Sequence, residues 1–485
     1  MAAADAARGI RTRLVALDDW RTARAVEAPD VDDPADHAAV KTFVDAAYTH
    51  WEPEYMVLLG SPDVVPLQPL SNPLWTGDPR RGDADEFVPS DLPYACPSPQ
   101  SLDAGRFRGA TRVVGRLPDG TGSADPAQLL RLLDVAAGYR SRRRTDYLPP
   151  FAVTAHEWRG STTATMKKLV GSADELRDVP PGSPPWPGSE SRRRLHLVNL
   201  HGGAADWRYY GQKGTTYPVA LDATELARDR SLTVGTVGAA ECCYGGMLYD
   251  PAETGGAPCF VDTYLAAGAY GYCASSTVSY GPTDANDCAD LVCRFFLQHV
   301  LTGCSTGRAM LQARQDYVFT KASLSPFDLK TLAQFSLFGD PSIHPVVRPA
   351  VAPSSGAHAA ATAAKGRRAD PAEDGPPSGV AARRRRLKAN GLALDSTTTR
   401  AAPMPRRLST RERDRLATEL TAVAPGRSSA DVEVRSFDVL AAPGAEPGPR
   451  ERFHLLLDRR PSGMHAVVAR AESGAVQQST LLRER

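Results

Sequence analysis

Over residues 36–348, short apolar runs bounded by small residues alternate with segments whose apolar positions recur every three or four residues. That alternation predicts strands and helices in turn, and so an α/β domain whose mostly parallel sheet carries helices on both faces. Residues 1–35 are a polar, Asp-rich lead-in with one predicted strand near Thr12–Leu17. Val40, Phe43, Val44 and Ala47 place a helix over 36–48, and Tyr55–Leu59 reads as a buried strand stopped by Gly60-Ser61-Pro62. The stretch 61–110 is rich in Pro, Gly and Asp and reads as an irregular excursion. A short strand is predicted at Thr111–Val114, closed by Gly115-Arg116-Leu117-Pro118. A helix follows, started by Asp125 and Pro126, with the stripe Leu129, Leu132, Leu133 and Ala136. Further strands are predicted at Phe151–Ala155, Leu195–Leu200, Leu232–Ala240 and Ala269–Ala274. Helices are predicted at Thr163–Val170, Cys259–Ala267, 287–302 and 305–320, and Phe335–Ser342 closes the domain.

Beyond residue 348 the pattern changes. Residues 349–407 are dominated by Ala, Pro, Ser, Gly and Arg and are expected to form a disordered linker. Residues 408–485 read as a small α+β module. Ser409 and Glu412 form a capping box ahead of the helical face Leu416, Leu420 and Val423. Val432–Leu440, Phe453–Leu457 and His465–Ala469 alternate like strands of an antiparallel meander. The module carries no catalytic pattern, so its expected roles are to bind a protein partner or to cover a cleft.

The totals narrow the function classes. A net charge of +1 over 485 residues gives no general attraction to nucleic acid or acidic lipid, and the Arg383–Arg386 cluster reads as solvated linker charge. There is no long uncharged apolar run and no apolar stretch behind Met1–Arg8, so neither a membrane span nor a secretion signal is expected. The eight cysteines form no C-x-x-C pair and have no histidine at zinc spacing. They read as reduced thiols of a cytoplasmic protein that needs no metal or organic cofactor.

The chemistry gathers at two strand ends. Leu195–Leu200 runs into His201-Gly202-Gly203, and Leu232–Ala240 runs into Glu241-Cys242-Cys243-Tyr244-Gly245-Gly246. In open α/β sheets, sites form beyond the carboxyl ends of the strands. A histidine and a cysteine there suit a thiol nucleophile and its acid/base, His201 and Cys243. Gly202 and the Cys243 amide leave backbone N–H groups clear for a developing oxyanion. The bland alternative is a turn-capping histidine beside packing cysteines. Two such ends in succession, each followed by glycines, favour the chemistry.

These residues resemble the caspase, legumain and gingipain group of cysteine peptidases, and most of all the gingipain (C25) peptidases. The resemblance rests on Leu200-His201-Gly202 and on Glu241–Gly246. It extends to Tyr55–Gly60 with Asp63–Pro66, to Val113–Pro118, and to Phe335–Ser342. It covers about residues 40–347. It implies a caspase-like sheet and a thioester acyl-enzyme, with His201 protonating the leaving amine and a protein or peptide as substrate. The group's small residue before the nucleophile matches Cys242 followed by Cys243, and Cys242 itself is the alternative nucleophile. A gingipain-type preference for a basic residue implies an acid in the pocket; Glu157 and Asp91 are available but read as ordinary acids.

Two other readings compete. A catalytically inactive scaffold would keep the sheet and bind partners through it. Gly303-Cys304-Ser305-Thr306-Gly307 also fits the G-x-S-x-G elbow of serine hydrolases, with Asp340 and His344 after it. Residues 289–301 ahead of Ser305 have helical period, whereas an elbow requires a strand, and Ser305 reads as a helix cap.

Overall fold

The computed structural model describes residues 1–348, 403–421, 432–439, 451–460, 463–472 and 475–485. Asp36 caps the helix His37–Trp51 by accepting from the Ala38 and Ala39 N–H groups, and Val40, Phe43 and Val44 are buried along it. Strand β1 (Met56–Leu59) follows, then a hairpin of β2 (Gln68–Ser71) and β3 (Phe87–Ser90). Next come β4 (Val114–Leu117), β5 (Phe151–Ala155), β6 (Leu176–Val179) and β7 (Leu195–Asn199). A second hairpin pairs β8 (Arg208–Tyr210) with β9 (Val219–Asp222). The body ends with β10 (Val237–Ala240), β11 (Gly271–Ser275), β12 (Tyr280–Gly281) and β13 (Phe335–Phe338).

Eight of these strands form one sheet in the order β1-β4-β13-β11-β10-β7-β5-β6. Every pairing in it is parallel except β11 with β13. Side chains alternate across it. Leu195, Leu197, Val237 and Ala239 join a core with Phe296 and Met310 from the helices Ala289–Leu301 and Thr306–Phe319. Val198, Leu200 and Ala240 join another with Phe260 and Tyr264 of the helix Phe260–Ala266. The sheet is therefore covered on both faces, as the alternating pattern implies.

The second unit begins with β14 (Pro403–Arg406) and the helix Thr410–Thr421. Four more strands follow: β15 (Glu433–Val439), β16 (Glu451–Arg460), β17 (Gly463–Glu472) and β18 (Ala475–Glu484). They make an antiparallel meander in the order β18-β17-β16-β15-β14, and the body strand β12 extends it beyond β18. The two faces of β16 are both buried. Phe453, Leu455 and Leu457 pack on the body beside Cys243, Val278, Tyr280 and Phe327, while Leu456 packs with Leu420 of the helix.

Several expectations need correction. Residues 12–17 carry no strand. The strand assigned to Thr111–Val114 lies at Val114–Leu117, so the Gly-Arg-Leu segment is inside it. A Cβ at Gly115 would stand 2.6 Å from the Gly339 carbonyl oxygen, so the strand tolerates no side chain there. β10 starts at Val237, because Gly235 has φ +88° and the Thr236 N–H turns back to the Thr233 carbonyl. The region 61–110 contains the β2–β3 hairpin, and β6, the β8–β9 hairpin and the helix Pro326–Gln334 are further elements beyond the expected set. β14 begins inside the range assigned to the linker. Residues 349–402, including Arg383–Arg386, lie outside the described residues, as does Val423.

Arg116 shows why β4 can bury a cation. Its guanidinium takes both Asp91 carboxylate oxygens, at 3.0 and 2.6 Å, and the Gly60 and Val65 carbonyls at 2.8 and 2.7 Å. Asp91 is thus held as a structural counter-ion. Removing one partner of a buried ion pair costs about 3–5 kcal/mol. Arg116→Ala is expected to lower unfolding free energy by about that amount in denaturant titration. A change within experimental error would show that the pair does not hold β4 to the segment after β3.

Candidate active site

β7 and β10 are parallel neighbours, with Val198 opposite Ala240, so their carboxyl ends emerge side by side. The chain just beyond them is in very close contact. A Cβ on Gly202 would lie 2.1 Å from the Cys243 carbonyl oxygen, so only glycine lets the two ends approach. Tyr244 then takes φ +54°, with its N–H on the Thr277 carbonyl at 3.0 Å and its hydroxyl on Asp85 at 2.9 Å. A bulky residue in that region is strained, and the cost is of order 1–3 kcal/mol. The strain is spent on the sharp turn that follows Cys243.

The turn separates the two thiols. Cys242 sinks into the core beside Tyr264 and Tyr272, its sulfur 4.0 Å from the Val198 carbonyl oxygen. Cys243 faces the other way, toward Ser279, whose N–H donates to Sγ at 3.2 Å. Its sulfur packs under the second unit, beside Phe453, Leu455 and Leu457. Burial pushes the Cys243 thiol well up from its ordinary value, so in this closed state it is protonated.

His201 is fixed by backbone and ring. Its N–H and C=O pair with Tyr210, each bond 2.9 Å, and Nε2 meets Gln212 Oε1 at 2.8 Å. Its ring lies 4.4 Å from that of Trp158 and 5.2 Å from that of Tyr217. Burial lowers its pKa from 6.5 to about 4, against the opposing bond from Gln212. Among the described residues no hydrogen bond joins His201 to Cys243: the ring lies against Gln212, Trp158 and Tyr217, and the thiol against Ser279. What the fold brings together is backbone: Gly202, next to His201, meets the Cys243 carbonyl.

Glu241 was legible only as an acid two residues before Cys243; the structure buries it completely beside Asp290. Burial first, then the Asp290 charge, pushes Glu241 well above the usual carboxylate range, and burial raises Asp290 as well. Asp290 escapes sequence reasoning because it looks like an ordinary acid in the first turn of the helix Ala289–Leu301. Glu157 instead accepts from the Gly214 N–H at 2.9 Å. Ser305 is no elbow: it is fully buried, follows the helix Ala289–Leu301 and caps Thr306–Phe319 through the Arg308 N–H. His344 is bound to the Gly303 carbonyl at 3.1 Å. Asp287, Cys288 and Asp328 come within metal-ligating reach of one another, but Lys321 already pairs with both carboxylates.

A depressed histidine pKa means that the fold favours the neutral ring. The fold then loses stability from this group as pH falls from 6.5 to about 4, and nothing changes above 6.5. In NMR titration of imidazole-labelled protein, the His201 signal is expected to stay flat from pH 8 to 5.5 and to move near 4. A midpoint near 6.5 would mean a solvated ring and an open cleft.

Comparison with known proteins bears on this geometry. No curated protein matches the sequence. A solved structure titled "Structure of Protease" aligns over 97% of this chain and 94% of its own, at 12% identity and a TM-score of 0.43. The model of peptidase family C25 matches residues 200–346. That span begins beside His201 and contains Cys243, and it stops short of the second unit. The segment that holds both glycine-flanked strand ends is thus a match to peptidase family C25, the family its motifs resemble.

Proposed function

We propose that the chain is a cysteine peptidase with Cys243 as nucleophile and His201 as acid/base. The observation that carries this reading is the orientation of the paired cysteines: Cys242 is committed to the core, while Cys243 lies at a strained turn against the Gly202 backbone. The Cys243 sulfur adds to the carbonyl carbon of the scissile bond as its proton passes to His201. His201 delivers a proton to the departing amine, and the C–N bond breaks to leave a thioester. Water then hydrolyses the thioester, releasing the acid product and restoring the thiol. The Cys243 N–H, with the Gly202 backbone beside it, serves the oxyanion.

In this mechanism the substrate is a protein or peptide, and the residues named need no metal or organic cofactor. No helix among the described residues is long and apolar enough to cross a membrane.

Three variants test the assignment on a fluorogenic peptide substrate. Cys243→Ala is expected to abolish turnover, and His201→Ala to lower kcat about 10²–10⁴-fold. Cys242→Ala should leave kcat within about threefold, since that thiol only fills core space. Turnover that survives Cys243→Ala and disappears in a folded Cys242→Ser variant would move the nucleophile by one residue. Absence of turnover in every form, with the cleft shown to be open, would favour a binding scaffold.

A further inference from the structure

The last strand of the second unit runs into the cleft. β18 lies antiparallel to β12, with Glu484 opposite Tyr280 and Arg483 opposite Gly281. The next residue, Arg485, continues that pairing on backbone atoms. Its N–H donates to the Ser279 carbonyl at 3.1 Å, and its own carbonyl oxygen accepts the Cys243 N–H at 3.3 Å. An extended segment that adds to a short body strand and puts its carbonyl on the oxyanion donor is placed as a peptide substrate would be.

The side chain completes the likeness. Arg485 Nη1 donates to Glu241 at 3.0 Å, and Nη2 to Asp290 at 2.8 Å and to the Pro282 carbonyl at 3.2 Å. The guanidinium carbon is 5.1 Å from the centre of the Trp158 ring, which also lies against His201. All three ionisable side chains are fully buried. A Cβ on Gly281 would stand 2.0 Å from Nη2, so the glycine leaves the room that the guanidinium fills. A cation between two buried carboxyls offsets their loss of water, and a forked one suits two separate acceptors better than an ammonium.

We propose that β18 and Arg485 are an intramolecular inhibitor, with the guanidinium seated in a pocket formed by Glu241 and Asp290 beside Cys243. The inference rests on the peptidase reading above. The segment stays in place because it is tethered: β18 pairs antiparallel with β17, and Glu484 is held by Arg459 at 2.7 Å and by the Met464 N–H at 2.7 Å. Tethering makes the local concentration of the occupant high, so a free peptide must compete with a neighbour that never leaves. The face of the second unit that carries Phe453, Leu455 and Leu457 seals the same cleft over Cys243. Of the two roles the sequence left open for residues 408–485, this contact supports covering the cleft.

The test uses the full chain and two readouts. Binding of p-aminobenzamidine, followed by its fluorescence, reports an empty amidinium pocket without requiring catalysis. Arg485→Ala is expected to bind it at least tenfold more tightly than wild type, and Glu241→Gln or Asp290→Asn added to that variant is expected to abolish the gain. Arg485→Lys keeps the charge but not the fork; it should fall between the two, and it serves if Arg485→Ala does not fold. Equal binding by wild type and the Arg485 variants, or binding by none of them, would overturn the proposal. Hydrolysis of an arginyl-coumarin peptide is measured in parallel and is expected to rise at least tenfold in Arg485→Ala. A gain in binding without any turnover would retain the occluded pocket and refute the peptidase reading. Equal turnover in both chains would do the reverse.

Discussion

Two carboxyl groups held side by side out of water must be neutralised, by a shared proton or by a cation between them, and Glu241 and Asp290 are buried side by side. Arg485 supplies that cation from the far end of the sequence. The requirement ties the second unit to the body. It fixes the last turn of chain against Ser279 and Cys243, aligns β18 with β12, and lets the apolar face of the meander close over the thiol. It also sets the protonation of the site. With water excluded, His201 is neutral and the Cys243 thiol is protonated.

The sheet provides what the site needs before any charge is considered. Parallel β7 and β10 bring two loops to one edge, and the carboxyl-end rule for α/β sheets then makes that edge the place for chemistry. Gly202 lets the loops touch, and the turn at Tyr244 sends one cysteine into the core and its neighbour into the cleft. Neither thiol is reactive by itself when buried; burial first, and the Arg485 charge to a lesser extent, hold the His201 pKa down, so water entering the site would relieve both.

What was legible in the sequence was local. The apolar runs ending in His201-Gly202 and in Cys242-Cys243 announce both strands and both side chains within a few residues. The helical stripe and cap signals place most helices of the body. What was not legible depends on partners far away in sequence. The strand at Val114–Leu117 was displaced because Arg116 reads as a surface cation until Asp91 is found opposite it. Gly235 broke an apolar run that looks continuous. Asp290 reads as an ordinary helix-start acid, Trp158 as a core aromatic, and Arg485 as the end of a polar strand; only the fold brings the three together. The doubled cysteine leaves two candidates by spacing alone, and the fold buries their side chains in different clusters.

The most direct measurement is covalent trapping of the Arg485→Ala chain with a short peptidyl-arginine chloromethyl ketone, followed by mass-spectrometric mapping of the modified residue. One adduct per chain on Cys243, formed many-fold more slowly in wild type, is the predicted result. An adduct on Cys242 or Ser305, or none on a folded chain that binds the amidinium probe, would contradict it.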